Sequence, residues 1–352
     1  MAQRTKRGFT LIEMLIAIVV ASIAVVGLYG LFIVQSRQFL YQDLNMQMHQ
    51  NLRFAVDIVG RSVRMAGHNT SGRVTGVLGE TTADTDLPSI IASDAGGPDG
   101  ATDAITVVYG DANLLMPTSG AYTPACSTEL LYFRATRMDY ADRLAQFNAG
   151  DLALCYDYAD INQQASYLWE VTDAPDLGNG QLPIASNAGY ADYAAVCAPD
   201  VNLSPVIGCT KGHVLTFYID ADDTDGVGAG TALHPVLMMD MDRQWPDDDD
   251  VPLVDDVEDL QFEYCVDTTG LGVDCTLTAN WSDSVAAGDE PNVWMVRISI
   301  LVRSPRTDPA GVATSAKPAV ANNGGSAVED GYYRQRLTTD VAVRNLRLQA
   351  VQ

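Results

Sequence analysis

The residues of this 352-residue chain that could carry chemistry are six cysteines, four histidines, two runs of aspartate and one glutamate set in an apolar stretch. The cysteines are Cys126, Cys155, Cys197, Cys209, Cys265 and Cys275; none has C-x-x-C spacing and none is followed by a histidine as a c-type haem requires. Zinc ribbons, thioredoxin-like centres and cytochromes therefore lack their ligands. An even number of cysteines beyond a membrane-targeting segment points to disulfides. Proximity in sequence pairs Cys265 with Cys275 and Cys197 with Cys209, leaving Cys126 for Cys155. His49, His68, His213 and His234 form no H-E-x-x-H motif and no pair at helical ligand spacing. G-x-S-x-G, Walker A and G-x-G-x-x-G motifs are missing as well, so the chain is not read as an enzyme.

In DADDTDG, Asp220, Asp222, Asp223 and Asp225 offer hard oxygen ligands of the kind calcium takes. The spacing departs from an EF-hand: Thr224 fills the third alternate slot and Thr231, not Glu, the twelfth. A calcium site on Asp220, Asp222 and Asp225 stands against a solvated hairpin loop, and no other cofactor is implied. Asp247–Asp250 reads as a self-repelling exposed loop.

Glu13 is the most informative of these residues. It lies one position before Met14–Val34, 21 residues without a charge, which as a helix span roughly 30 Å, the thickness of a bilayer core. A carboxylate there costs several kcal/mol unless it finds a partner. Cutting after Gly8 would create one, the α-amine of Phe9, which a neighbouring subunit offset along the helix axis could bring to Glu13. The pairing would set axial register. Ahead of the cut, Arg4, Lys6 and Arg7 hold that end in the cytoplasm, so the remainder is exported. No small-residue cleavage site follows the apolar run; an ordinary signal anchor is the plainer alternative.

These residues must be positioned by a long helix. Beyond Val34, Leu44, Met48, Leu52, Ala55 and Val59 recur at three- or four-residue spacing among polar residues, the pattern of a helix with one buried face. No Pro interrupts Phe9–Ala66, Gly27 and Gly30 allow bending or close packing, and Gly67 is the expected stop. Strands are expected at Ala104–Tyr109, Glu129–Ala135, Leu152–Tyr156, Tyr167–Val171, Val214–Ile219, Val236–Met239, Leu260–Val266, Val293–Val302 and Arg336–Val343. In Val293–Val302, Arg297 marks one partly exposed position of a central strand. Long loops are expected at Val74–Thr102, Thr172–Gly212, Thr268–Asn292 and Ser304–Gly331. The 45 Asp and Glu against 21 Lys and Arg exclude nucleic acid as the main partner.

RG-FTLIE, Arg7–Glu13, followed by an apolar run, resembles the cleavage and methylation motif of type IV prepilins and type II secretion pseudopilins. The resemblance implies that a prepilin peptidase cuts after Gly8 and N-methylates Phe9, and that Glu13 is the acidic residue of the motif. It implies an α+β, type IV pilin-like fold: a leader over 1–8 that is removed, a transmembrane and filament-core helix over 9–34, its amphipathic continuation over 35–67, and a large β-rich globular head over 68–352. Loss of the three leader cations leaves 18 against 45 acids, a charge of −27. The head in turn resembles the PilW class of minor pilins in Arg53–Gly67, Gly150–Asp157, Pro252–Asp267, Arg297–Pro305 and Arg334–Asn345, although Ser62 stands where that class commonly has an acid. This second resemblance implies a minor pilin that helps to prime pilus assembly and sits at or near the tip. Its partners would be other minor and major pilins, the prepilin peptidase, the inner membrane before assembly, and a tip adhesin; its final place is the extracellular pilus. Two alternatives stay open, a pseudopilin of a type II secretion system and an adhesive or ligand-binding tip module.

Overall fold

The computed structural model describes residues 10–70, 73–76, 85–98, 100–111, 126–127, 130–133, 140–157, 166–185, 207–221, 234–241, 250–269, 272–307, 316–326 and 329–343. Its first element, α1, is one helix of 55 residues, Leu11–Met65, about 80 Å long at 1.5 Å per residue. Ile, Val, Leu and Ala dominate its first half and Pro is missing throughout; β-branching lowers helix propensity only slightly and nothing breaks the helix. It ends where expected. Gly67 takes φ +74°, a left-handed conformation that costs glycine little, and its amide turns away to donate to the Val108 carbonyl at 3.0 Å.

The chain continues through β1 (Arg73–Gly76), β2 (Thr85–Pro88), β3 (Ile90–Ser93), β4 (Ala104–Gly110), β5 (Cys126–Ser127), β6 (Leu130–Tyr132), α2 (Tyr140–Leu144), β7 (Leu152–Asp157) and β8 (Ser166–Glu170). It is completed by β9 (Gln181–Pro183), β10 (Ile207–Asp220), β11 (Val236–Asp240), β12 (Val251–Asp255), β13 (Val257–Val266), β14 (Trp281–Ser282), β15 (Val293–Arg303) and β16 (Arg334–Ala342). In the large sheet β12, β11, β10, β7, β8, β1 and β2 follow in order, and β4, with β3 beside it, also pairs with β10. The length of β10 makes this branching possible: Gly212 pairs with Leu152 of β7 and with Gly110 of β4, and from Thr216 onward β11 takes the place of β7. A second sheet has the order β14-β13-β15-β16, and a third the order β5-β6-β9.

Alternation within the strands decides what each sheet buries. From β15, Val296, Ile298, Ile300 and Val302 join Phe262 and Tyr264 of β13 and Val341 of β16 in the main core, which Leu52, Ala55 and Val59 of α1 cover. On the opposite face Arg297 sits between Asp340 and Glu263, with Nε 2.8 Å from Asp340 and Nη1 3.7 Å from Glu263. Its guanidinium lies 4.0 Å over the Trp281 ring, which explains a cation at a half-buried central-strand position. A second core, with Trp169, Leu131, Phe133 and Phe147, packs on the other side of β7 and β8.

Three of the expected loops contain strands. Val74–Thr102 holds β2, β3 and most of β1; Thr172–Gly212 holds β9 and the start of β10; Thr268–Asn292 holds β14. These strands are short or rich in Gly, Asp and Thr, and only pairing with a neighbour, such as β1 alongside β8, makes them strands. In Ser304–Gly331, residues 316–326 carry only isolated bridges. They are fastened by Lys317, whose Nζ is 3.0 Å from the buried Asp259.

Candidate functional site

Gly8 and Phe9 lie outside the described residues, whereas Glu13 stands in the first turn of α1. The Thr10 amide and hydroxyl both donate to Glu13 Oε2 at 2.9 Å, and the Glu13 amide donates to Thr10 Oγ1 at 3.4 Å. This reciprocal capping box satisfies helix-end N–H groups that would otherwise lack partners. It also sets a carboxylate at the positive end of the helix dipole. Thr10 is a residue that the sequence reading passed over, although T-x-x-E signals it.

Beyond Glu13 the helix surface is apolar in every direction: Ile16, Ile18, Val20, Ile23, Leu28 and Phe32 are all exposed. The most apolar 18-residue window has mean hydropathy 2.7 and none of it is buried against the head. Length and composition suit a bilayer span, and a helix apolar all round needs an apolar surrounding.

Farther on, α1 settles onto the head by the predicted stripe, for Leu44, Met48, Leu52, Ala55 and Val59 are all buried. Gly60 faces the sheet: a Cβ there would lie 3.5 Å from Val341 Cγ2 and 4.0 Å from Ile298 Cδ1. Polar contacts flank the stripe. Asn51 Nδ2 donates to the Asp255 carbonyl at 2.9 Å, Tyr41 meets Tyr333 edge to face at 5.0 Å, and Gln335 donates to Asn45.

Cys265 and Cys275 are joined as expected. Cys209, by contrast, is bonded to Cys155 and not to Cys197. The two residues face each other directly across β10 and β7, with Cα atoms 4.0 Å apart, so strand pairing overrides proximity in sequence. The expected Cys126–Cys155 bond falls with it; Cys197 and the Cys126 side chain lie outside the described residues. Asp220 is buried at the end of β10, and Asp222, Asp223 and Asp225 lie outside the described residues. Among the described residues no group of three or more His, Cys, Asp and Glu could hold a metal ion. Of the run Asp247–Asp250, expected to be exposed, Asp250 is half-buried and accepts from the Tyr218 hydroxyl. Burial, and then Asp250, push that hydroxyl above its ordinary pKa. His213 and His234 stand apart, against Asp111 at 3.2 Å and Asp256 at 3.1 Å.

Residues 3–29 match the family model of the prokaryotic N-terminal methylation motif, a span that holds Gly8, Phe9 and Glu13. Residues 216–345 match that of the type IV pilus-assembly protein W. The second match runs from the middle of β10 past β16 and takes in the sheet on which α1 lies. Pro252–Asp267, Arg297–Pro305 and Arg334–Asn345 fall inside it, while Arg53–Gly67 and Gly150–Asp157 do not. No curated protein matches the chain. Among solved structures, a type IV-like pilin from Thermus thermophilus aligns at 10% identity and a TM-score of 0.35, covering 85% of this chain and 98% of that one. The chain thus matches the N-terminal methylation motif at its start and, in the C-terminal part of its head, is similar to the type IV pilus-assembly protein W family.

Proposed function

We propose that this chain is a minor pilin of a type IV pilus, held in the inner membrane by α1 until it joins a filament. The observation that carries the reading is the methylation motif at residues 3–29 set directly on an apolar helix whose far end alone is packed into the head. A prepilin peptidase cuts after Gly8 and methylates Phe9. Other minor and major pilins then receive the helix laterally, and Glu13 leaves its own Thr10 to pair with a neighbour's N-terminal amine. The match to the assembly protein W family supports a part in priming assembly over a bulk structural one, and a subunit that primes a filament ends at or near its tip.

The test is proteomics of sheared filaments together with a chromosomal deletion. Surface pili should disappear or fall sharply in the deletion strain, with the mature chain present in wild-type filaments at low copy number. Intact piliation with lost protein secretion would reject this reading in favour of a secretion pseudopilus.

A further inference from the structure

The outer face of the C-terminal sheet is built for water, yet part of it is covered. Alternation turns every second residue of β13, β15 and β16 away from the main core. In register, Asp259, Leu301 and Arg336 form one row of that face, and Gln261, Ser299 and Thr338 the next. Leu301 is the one apolar side chain among them. Arg336 and Thr338 are exposed, as this composition leads one to expect, whereas Asp259, Gln261 and Ser299 are buried. What lies over Asp259 is segment 316–326 of the connection between β15 and β16. Lys317 Nζ stands 3.0 Å from Asp259 Oδ2, and Asn323 Nδ2 donates to the same oxygen at 2.8 Å. Asn322 Nδ2 donates to Asp94 at 2.7 Å, and Arg336 Nη1 to the Ala319 carbonyl at 3.0 Å. Within the segment Val320 alone is buried.

Among the described residues the segment forms no bridge to β13, β15 or β16; its bridges join Ala316 to Glu329 and Val320 to Asn323. Its amides close on the segment itself. Val320 and Asn323 exchange hydrogen bonds at 3.0 and 2.8 Å, and the Ser326 amide donates to the Lys317 carbonyl at 2.9 Å. Such a unit keeps its shape when it leaves. An ion pair held out of water gives little net stability, because both charges regain hydration on separation, and one valine is a small apolar anchor. The polar rows beneath remain soluble once bared. We propose that 316–326 is a releasable strap, latched by Lys317 on Asp259, which lifts from the C-terminal sheet as a unit while α1 and the core on the opposite face stay packed. Lifting gives the head a second state, in which Asp259 and Gln261 face solvent. This inference goes beyond the minor-pilin reading and does not depend on it.

Hydrogen exchange of the full-length, detergent-solubilised chain in increasing urea tests it. In the wild type, the Val320, Asn323 and Ser326 amides should exchange through a local opening that urea barely alters. The Ile298 and Ile300 amides of β15 should exchange through an unfolding that urea accelerates. A urea dependence shared by both groups would make the strap an integral part of the sheet and overturn the proposal. Lys317→Met removes the charge and keeps an unbranched side chain. It should speed exchange of the three strap amides by about tenfold or more and leave Ile298 and Ile300 unchanged. No acceleration in the Met variant, or an equal acceleration in both groups, overturns the latch.

Discussion

A peptidase subsite that takes Gly8 has no room allotted for a side chain, so Gly8→Leu should leave the precursor uncut, eight residues longer on an immunoblot of the membrane fraction; normal-sized protein would refute cleavage at this bond. The cap that Glu13 makes with Thr10 and the subunit pairing proposed for it are separated by one pair of variants. Glu13→Ala removes both the capping box and the charge; Glu13→Gln keeps a side chain able to cap at this position but cannot form an ion pair. Cap loss costs about 1 kcal/mol, small beside the packing of α1. Both variants should be cleaved, and both should be depleted in sheared filaments. Depletion of the Ala variant alone would assign Glu13 to capping and not to subunit pairing. At Cys155 the expected result is chemical: peptide mapping without reduction should recover Cys155 with Cys209 and Cys265 with Cys275. Removing the first bond by Cys155→Ala with Cys209→Ala should lower stability by about 2–4 kcal/mol, read from denaturant unfolding.

Among the elements, α1 comes near the sheet at Gly60. Gly60→Leu extends a side chain from a position whose Cβ would already touch Val341 Cγ2 at 3.5 Å, and should destabilise the detergent-solubilised protein by about 1–3 kcal/mol, measured by thermal melting; an unchanged melting temperature would show that the helix rides farther from β16 than its contacts indicate. This helix was also the most legible element. The five stripe residues from Leu44 to Val59 and the stop at Gly67 are written in a 3.6-residue period and a single glycine, and the strands from Ala104 to Arg336 in runs of β-branched and aromatic residues. What could not be read was whatever depends on partners distant in the chain. β2 is TDLP and β9 is QLP, sequences without strand character of their own. Cys155 meets Cys209 only because β7 and β10 pair, and Asp250 escapes solvent only because Tyr218 reaches it.

Across the whole molecule, Asp103 ties the two larger sheets together. It begins beside β4, yet its Oδ2 accepts from the Phe262 amide of β13 at 2.8 Å and its Oδ1 from the Ala95 amide at 2.9 Å. Burial raises its pKa to about 6, against the pull of these two N–H groups and with the help of Asp94 and Asp259. The folded-state value lies above the ordinary 3.8, so between the two the folded chain holds the extra proton. Stability linked to Asp103 therefore rises as pH falls from about 7 toward 4, and is lost as pH rises through 6. Relative to Asp103→Asn, the wild type should gain about 1–2 kcal/mol over that interval after solvent screening. Urea unfolding of both proteins at pH 7 and pH 5 checks this, and a difference independent of pH would place the Asp103 pKa outside the interval.

The length of α1 between its apolar half and its first contact with the head also fixes a distance. From Val34 to Tyr41, which meets Tyr333, are seven residues, about 10 Å of helix, whereas the headgroup layer outside the hydrocarbon core is about 5–8 Å thick. With the apolar half in a bilayer, the head clears the lipid surface by only a few ångströms, less than the Debye length of about 8 Å at physiological salt. A head so rich in carboxylates is thereby held where the charge of anionic lipids still repels it.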